Sequence, residues 1–339
     1  MRYVEIDAGA ATLRDGPDPD VPPDFARVRV LACGICGTDL HLLRGMVLPP
    51  GAAYPVRPGH EVAGMVERVN GADAPVREGE LVILHPIATC GRRAACRRGE
   101  DSRCERQRLL GLHDPGGLAE LVAWPAARML PAGGIAPAGA ALLADAAATA
   151  HHALALAALA PGATLCVLGA GGLGTSVLEI ARALDPTVRL GAVVRSEATA
   201  ARVAADGVEV HRGLAGAARA LRGRLGRADA VIDFSGAAAA PAEGAALLHR
   251  GGRLVLGSVL DESLELGAAA AFMTRELQVV GAYCSSLADL AAVIALAREG
   301  RLDPGRWVSH RLALADAGAA LALARERPAG MIRAVVEPE

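Results

Sequence analysis

Between residues 28 and 129 the hydrophobic positions fall into short runs of β-branched and aliphatic side chains, with glycine and proline between them. The clearest runs are 28–31, 62–69, 81–84 and 118–122. Short runs of this composition, bounded by turn residues, are typical of β-strands. The pattern therefore predicts an irregular, β-rich first domain.

The pattern changes after Pro137. An alanine-rich stretch with helical spacing covers residues 138–160, and from residue 164 short apolar strands alternate with helices. This alternation predicts an α/β domain with a doubly wound parallel sheet covered by helices on both faces. The predicted strands are 165–168, 190–194, 208–210, 230–234, 254–257 and 279–281.

The last 55 residues, 285–339, contain two helical segments on either side of residues 301–305 and a final apolar run at 332–336. We expect this segment to return to the first domain. The expected organisation is thus a β-rich domain of residues 1–150 completed by 285–339, and an α/β domain of residues 151–284.

Composition narrows the class of partner. The net charge is −2 and the sequence pI is about 6.5, so no excess of basic residues indicates binding to nucleic acid or to an anionic membrane. The N-terminal residues lack the apolar run of a signal peptide, and polar residues interrupt the alanine runs. We expect a cytoplasmic protein whose partner is a small molecule.

The cysteine and lysine counts restrict the chemistry. In a chain expected in a reducing compartment, the seven cysteines are thiols or metal ligands rather than disulfides. The 35 basic residues are all arginine. Without lysine, the chain has no Schiff-base nucleophile and no phosphate-loop lysine.

A glycine-rich turn opens the α/β domain. Residues 169–174 form a G-x-G-x-x-G motif directly after a predicted strand and at the start of a predicted helix. In this context the motif indicates dinucleotide binding, because its glycines permit a tight turn and bring main-chain N–H groups close to a pyrophosphate. The predicted cofactor-binding residues are Gly169, Gly171, Gly172, Leu173 and Gly174.

The second strand of the α/β domain predicts which cofactor is bound. An NAD-binding chain usually places an acidic residue at its end, to bind the ribose 2′-hydroxyl. Here the strand is followed by Arg195 and Ser196, which can bind a 2′-phosphate instead. The sequence therefore favours NADP(H) over NAD(H), although an arginine at this position can also be simply solvated.

Three segments of the β-rich domain carry metal-type donors. Cys36 lies in residues 33–41 close to Thr38, Asp39 and His41, His60 and Glu61 follow a proline–glycine pair, and Asp145 lies among alanines. Sulfur, imidazole and carboxylate donors suit zinc, and three protein ligands with one open position are typical of a catalytic zinc. An alternative for Asp145 is a helix N-cap.

In this order, residues 34–41, residues 59–61, Asp145 before Thr149 and the glycine turn resemble the zinc-containing medium-chain alcohol and polyol dehydrogenases. The resemblance covers nearly the whole chain. It implies a GroES-like catalytic domain, a Rossmann domain and a homodimer or homotetramer. It also implies one catalytic zinc bound by Cys36, His60 and Asp145.

The same resemblance implies roles for the neighbouring residues. Glu61 would approach the metal during ligand exchange, Thr38 would take the proton of the substrate hydroxyl, and His41 would pass that proton to solvent. Asp39 would hydrogen-bond the metal-bound imidazole of His60 and fix its orientation.

One part of the sequence departs from the family pattern. The structural zinc lobe of this family has four cysteines, and here Cys90, Cys96 and Cys104 match the first, third and fourth while Arg93 stands in place of the second. Structural zinc is normally bound by four ligands. We therefore expect a degenerate lobe without metal, unless another donor completes the site.

These features together predict an enzyme that interconverts an alcohol and its carbonyl by hydride transfer with NAD(P)(H). Aromatic residues make up only 2% of the chain, which favours a polar substrate over a bulky apolar one. We expect a secondary alcohol within a polyol or sugar-like molecule. Two alternatives stay open: a zinc-free NADPH-dependent reductase of activated double bonds, and a nucleotide-binding sensor without catalysis.

Overall fold

The computed structural model describes residues 1–7, 9–258, 263–264 and 266–338. The chain divides into two compact units. The first consists of Met1–Ala148 and Ser285–Glu339, and the second of Thr149–Cys284. The sequence analysis placed the corresponding boundaries after residues 150 and 284.

The first unit is built on a seven-stranded sheet in the order β16-β17-β3-β4-β5-β9, with β8 paired to β3. All pairs are antiparallel except β16 with β17. Two further antiparallel pairs, β1 with β2 and β6 with β7, lie outside this sheet. The strands are β1 (Arg2–Asp7), β2 (Ala10–Asp15), β3 (Phe25–Gly34), β4 (Glu61–Asn70), β5 (Leu81–Leu84), β6 (Ile87–Ala88), β7 (Arg108–Leu109), β8 (Leu121–Pro125), β9 (Met129–Pro131), β16 (Val308–Ala313) and β17 (Arg333–Glu337).

Strand β3 shows how this sheet positions functional residues. Val28 and Val30 are buried whereas Arg29 between them is exposed, the alternation expected of a strand with one face on the core. From Ala32 to Gly34 the strand is buried at every position, and Gly34 pairs with Glu61 at the start of β4. This fully buried end of the sheet lies beside the predicted metal ligands.

The helices of the first unit are short. They are α1 (Gly37–Leu43), α2 (Ala94–Arg97), α3 (Pro137–Leu142), α10 (Leu287–Arg298) and α11 (Ala317–Glu326), with 3₁₀ turns at Asp101–Arg103, Ala126–Arg128, Pro304–Trp307 and Leu314–Asp316. The C-terminal segment contributes β17, which pairs with β3 of this unit.

The second unit has one six-stranded sheet in the order β12-β11-β10-β13-β14-β15, in which every pair is parallel. The predicted doubly wound α/β fold is confirmed. The strands are β10 (Thr164–Leu168), β11 (Arg189–Val194), β12 (Glu209–Arg212), β13 (Ala228–Asp233), β14 (Leu248–Leu256) and β15 (Gln278–Gly281). The helices are α4 (Ala148–Ala157), α5 (Gly172–Leu184), α6 (Glu197–Ala205), α7 (Ala217–Leu225), α8 (Ala240–Leu247) and α9 (Ala269–Arg275).

The helix predicted over residues 138–160 runs from Pro137 to Ala157 and contains a π-helical turn, Leu143–Ala147, between α3 and α4. Proline at its first turn suits a helix start, where its missing N–H is not needed. The stretch is long and apolar enough to cross a membrane, but 78% of its most apolar window is buried inside the protein. A core helix has this property.

Candidate metal centre and cofactor site

Four donor side chains converge at the buried end of the first unit's sheet. Cys36 precedes α1, His60 and Glu61 lie at the start of β4, and Asp145 lies on the π-helical turn. Their ligand atoms all lie within 4.8 Å of one another. The Oδ2 atom of Asp145 is 3.7 Å from both the Sγ atom of Cys36 and the Nε2 atom of His60. Asp145 is therefore inside a continuous helical stretch beside the other donors, and it is not an N-cap.

Local geometry explains why these residues meet. Gly59 has a φ of +98°, and a Cβ atom there would lie 2.5 Å from the main-chain nitrogen of Leu118. Only glycine fits both constraints. The start of α1 is fixed by Asp39, whose Oδ2 atom accepts a 2.8 Å hydrogen bond from the main-chain N–H of Cys36. The π-helical turn is a distortion often found at functional sites.

The charges at this site fit a bound cation. His60, Glu61 and Asp145 are buried. Burial lowers the pKa of His60, but the charge of Cys36 and the hydrogen bonds with Asp145 and Cys36 outweigh it, so the pKa of His60 is raised well above its ordinary value. The site thus attracts positive charge, and its sulfur, nitrogen and oxygen donors match those of zinc centres.

Arg333 is a residue of this site that the sequence analysis missed. It begins β17, is buried, forms an ion pair with Glu61 and donates a 3.2 Å hydrogen bond to the main-chain oxygen of Ile35. Burial raises the pKa of Glu61, although the charge of Arg333 opposes the rise. The sequence contained one signal for this contact, a single arginine at the start of the final apolar run. An arginine buried in such a strand requires a partner of opposite charge.

Unpartnered atoms also point to a ligand. The Nδ1 atom of His60, the Oδ1 atom of Asp39 and the Oε1 atom of Glu61 are buried without a hydrogen-bond partner in the described part of the chain. Asp39 therefore does not make the expected hydrogen bond to His60. It bonds the main chain at Cys36 instead, because its position in the first turn of α1 directs the carboxylate to the helix start.

Thr38 and His41 lie three residues apart on α1, the spacing that places two side chains on one helix face. The Oγ1 atom of Thr38 is 3.9 Å from the Sγ atom of Cys36. Thr38 is half-buried and His41 is exposed. This face of α1 thus leads from the donor cluster towards solvent.

The three cysteines of the predicted degenerate lobe also converge. The Sγ atom of Cys90 is 3.8 Å from that of Cys96 and 3.6 Å from that of Cys104. Arg93 turns its guanidinium to Glu105, with which it forms an ion pair. A main-chain hydrogen bond at Arg92, together with the neighbouring thiols, lowers the pKa of Cys90 to about 7, whereas burial raises the pKa of Cys104.

His85 belongs to a buried polar network beside this lobe. Its Nδ1 atom lies 2.8 Å from the Nη2 atom of Arg128, which in turn pairs with Asp101 at 2.6 Å. Because arginine only donates, Nδ1 accepts and the proton is on Nε2, 3.3 Å from the Oγ atom of Ser285. Burial and the charge of Arg128 lower the pKa of His85 to about 4.

The glycine turn of the second unit has the expected geometry. α5 begins at Gly172, within the motif. Gly169 has a φ of +89°, and a Cβ atom on Gly174 would lie 2.0 Å from the main-chain oxygen of Gly169. Helix and strand thus approach too closely for any larger residue at Gly174, and the main-chain N–H groups at the start of α5 are available for a phosphate.

Arg195 and Ser196 follow β11, at the same end of the sheet as the glycine turn. Ser196 is the N-cap of α6, where its Oγ atom accepts a hydrogen bond from the main-chain N–H of Thr199. Arg195 is exposed. On the neighbouring strand, Arg212 pairs in register with Val194, so the edge beside the turn carries two arginines.

Known proteins resemble this chain over most of its length. The alcohol dehydrogenase GroES-like domain family matches residues 22–134. L-galactonate-5-dehydrogenase of Escherichia coli K12 is 31% identical over 297 residues, with 84% of each chain covered. NAD-dependent alcohol dehydrogenase of Sulfurisphaera tokodaii is 30% identical over 332 residues, covering 95% of this chain and 94% of the relative.

A solved dehydrogenase from Sinorhizobium meliloti 1021, bound to NADP, superposes with a TM-score of 0.89 at 28% identity, with 99% of both chains covered. Fold, sequence and family model therefore agree. This chain belongs to the medium-chain alcohol and polyol dehydrogenase family and is an oxidoreductase of alcohols or polyols.

Proposed function

We propose that the protein is a zinc-dependent dehydrogenase that interconverts a secondary alcohol, within a polyol or sugar-like molecule, and its carbonyl by hydride transfer with NADP(H). The convergence of Cys36, His60 and Asp145 at one buried point carries this proposal. It sets the protein apart from a zinc-free double-bond reductase or a sensor, neither of which needs such a donor set.

Cys36, His60 and Asp145 would hold the metal, with Glu61 as a further donor within reach. Bound zinc polarises the oxygen of an alcohol or a carbonyl. The ion pair of Glu61 with Arg333 restrains one carboxylate oxygen and leaves Oε1 without a partner. This arrangement supports a role for Glu61 in ligand exchange.

Proton movement would use one face of α1. The half-buried hydroxyl of Thr38 would accept the proton of the substrate hydroxyl, and the exposed imidazole of His41 would transfer it to solvent. Asp39 holds the start of α1 through Cys36. Asp39 would therefore act by positioning both Cys36 and Thr38.

The nicotinamide cofactor supplies or accepts the hydride. The start of α5 would bind its pyrophosphate through main-chain N–H groups and the dipole of the helix. Arg195 would bind the 2′-phosphate of NADP(H), with Ser196 contributing from the helix start. The NADP-bound relative supports this preference, whereas the Sulfurisphaera relative is named NAD-dependent.

The substrate class is inferred from composition and relatives. Only 2% of residues are aromatic, which disfavours a bulky apolar pocket. Relatives named for L-galactonate and for 2-dehydro-3-deoxy-L-galactonate act on sugar acids. A hydroxyl-rich substrate accords with both observations.

We also infer a homodimer or homotetramer in a reducing cytoplasm. None of the seven cysteines, all of which lie in the described part of the chain, forms a disulfide. The edge strand β15 has Val279 exposed, and Met273 on α9 is 77% exposed, so the second unit has apolar surface available for self-association. Light scattering of the purified protein measures the oligomeric state.

The metal assignment is tested by elemental analysis of purified variants. Cys36→Ala and His60→Ala are expected to lose the bound zinc and at least about 100-fold in turnover, because each removes a direct ligand. Both should still bind NADPH. Cys33→Ala is the matched control, since Cys33 is a buried core thiol outside the donor group. Full zinc content and turnover in both ligand variants would refute the proposal.

The cofactor assignment is tested by the ratio of kcat/KM for NADPH to that for NADH. Arg195→Asp should lower this ratio at least about 10-fold, because a carboxylate repels the 2′-phosphate and can bind a 2′-hydroxyl. Arg189→Asp is the control, because Arg189 lies at the opposite end of β11. An unchanged ratio in Arg195→Asp would remove Arg195 from the cofactor site.

A further inference from the structure

The three thiols of the lobe have no role in the proposed reaction. Cys90 and Cys96 are half-buried and Cys104 is buried, so the cluster is close to solvent yet partly shielded. Their sulfur atoms lie within 4.8 Å of one another, and the main-chain N–H of Cys90 donates a 3.4 Å hydrogen bond to the Sγ atom of Cys104. This is the arrangement of a compact three-sulfur site.

The site does not fit structural zinc, which requires four ligands. Among the residues that the structure describes, no fourth His, Cys, Asp or Glu joins the three-cysteine group. The nearby carboxylates are each paired with an arginine. The pairs are Glu105 with Arg93, Glu100 with Arg98 and Arg103, and Asp101 with Arg128.

The charge around the thiols also distinguishes between metals. Residues 90–106 contain six arginines and three acidic residues, so the surroundings carry excess positive charge. Three thiolates around a monovalent ion leave a more negative complex than three thiolates around a divalent ion. The arginines therefore stabilise the complex of the monovalent ion more strongly.

We propose that Cys90, Cys96 and Cys104 form a three-coordinate site for one Cu(I) ion. Thiolate ligands select soft ions such as Cu(I), and a three-coordinate soft ion needs no fourth donor. The ion pair of Arg93 with Glu105 leaves the position of the missing second cysteine without a ligand. This site is separate from the donors around Cys36 and does not depend on the proposed reaction.

The test uses the full chain, reduced, under anaerobic conditions and loaded with zinc. Cu(I) is added as its acetonitrile complex, and binding is followed by thiolate-to-copper charge-transfer absorption and by elemental analysis after desalting. We expect about one copper per chain, with the zinc content unchanged. Absence of copper, or copper bound only with loss of an equal amount of zinc, would overturn the proposal.

Variants locate the copper. The double variant Cys90→Ser/Cys96→Ser should abolish retention of copper, because two thiolates can still bind Cu(I) whereas the single thiolate left in the double variant cannot hold it. Cys284→Ser, which removes a half-buried thiol of the second unit, should leave it unchanged. Copper retained in the double variant, with the fold intact by circular dichroism, would refute the assignment.

A gain-of-function variant tests the reason for the metal preference. Arg93→Cys restores four sulfur ligands and should bind one zinc more per chain than the parent protein. Arg92→Cys adds a thiol one residue earlier and should bind no additional zinc. If the parent already holds that additional zinc tightly, the lobe is a zinc site and the Cu(I) proposal fails.

Discussion

The first unit contains two clusters of metal-type donors, and they differ in their surroundings. The cluster around Cys36 lies where β3, β4 and the π-helical turn meet, with His60, Glu61 and Asp145 buried. The cluster around Cys90 is carried by the four-residue helix α2 and short turns, with two of its three thiols half-buried. A buried donor depends on its neighbours for charge balance, whereas solvent stabilises an exposed one.

An arginine–carboxylate ion pair lies beside each cluster. These two pairs allow the effect of burial on stability to be measured. Arg333 and Glu61 have side-chain exposures of 8% and 0%. Arg93 and Glu105 have side-chain exposures of 41% and 74%. The two pairs have similar chemistry, so comparable substitutions measure the effect of burial.

The substitution of Arg333 is expected to have the largest effect on the stability of the first unit. Arg333→Met leaves the carboxylate of Glu61 buried without its cation, which should lower the free energy of unfolding by about 3–5 kcal/mol. Urea unfolding followed by tryptophan fluorescence measures this change. Both tryptophans, Trp124 and Trp307, are buried in the first unit, so the signal reports on that unit alone.

A double variant separates charge from packing. Arg333→Met combined with Glu61→Gln removes both charges, so it should recover a large part of the lost stability. If the double variant is no more stable than Arg333→Met, lost packing rather than an unpaired charge explains the effect.

A smaller effect on the free energy of unfolding is expected from the protonation of His85. This residue connects the body of the unit to the lobe through Arg128 and Asp101. Its pKa is about 4 in the folded protein and about 6.5 in the unfolded chain. Between these values the unfolded chain binds the proton and the folded protein does not, so stability falls as the pH falls from 6.5 towards 4. From pH 8 to pH 5 the loss is about 2 kcal/mol.

The measurement compares urea unfolding of the parent protein and His85→Gln at pH 8 and pH 5. Glutamine does not titrate, so the variant should lose about 2 kcal/mol less over this interval than the parent. Equal losses in both proteins would mean that His85 is protonated in the folded state and that its network differs from the one described.

The main architecture could be predicted from the sequence because it follows from the spacing of apolar residues along the chain. The alternation of strands and helices after Thr164 and the glycine turn are local patterns, and the parallel sheet with α5 starting at Gly172 follows from them. The convergence of Cys36, His60 and Asp145 was predicted from the family resemblance, since residues more than 100 positions apart leave no local signal of their proximity.

Other features depend on long-range pairing and could not be predicted locally. The pairing of β16 with β17 was missed because no position of β16 is buried, so its sequence lacks a clear apolar pattern. The hairpin of β1 and β2 is local, and it was missed because β2 is exposed at five of its six positions. Arg333 lies 272 residues after Glu61. Only the fold brings this cation to that carboxylate.

The smallest expected effect is at Arg93, and it completes the comparison of the two ion pairs. Arg93→Ala should change the free energy of unfolding by less than about 1 kcal/mol, because both partners are exposed and water solvates Glu105 when the arginine is removed. The same urea unfolding assay measures it, with Arg92→Ala as the matched control. A loss comparable to that of Arg333→Met would mean that the Arg93–Glu105 pair holds the lobe together, and burial would then fail to explain why the two clusters differ.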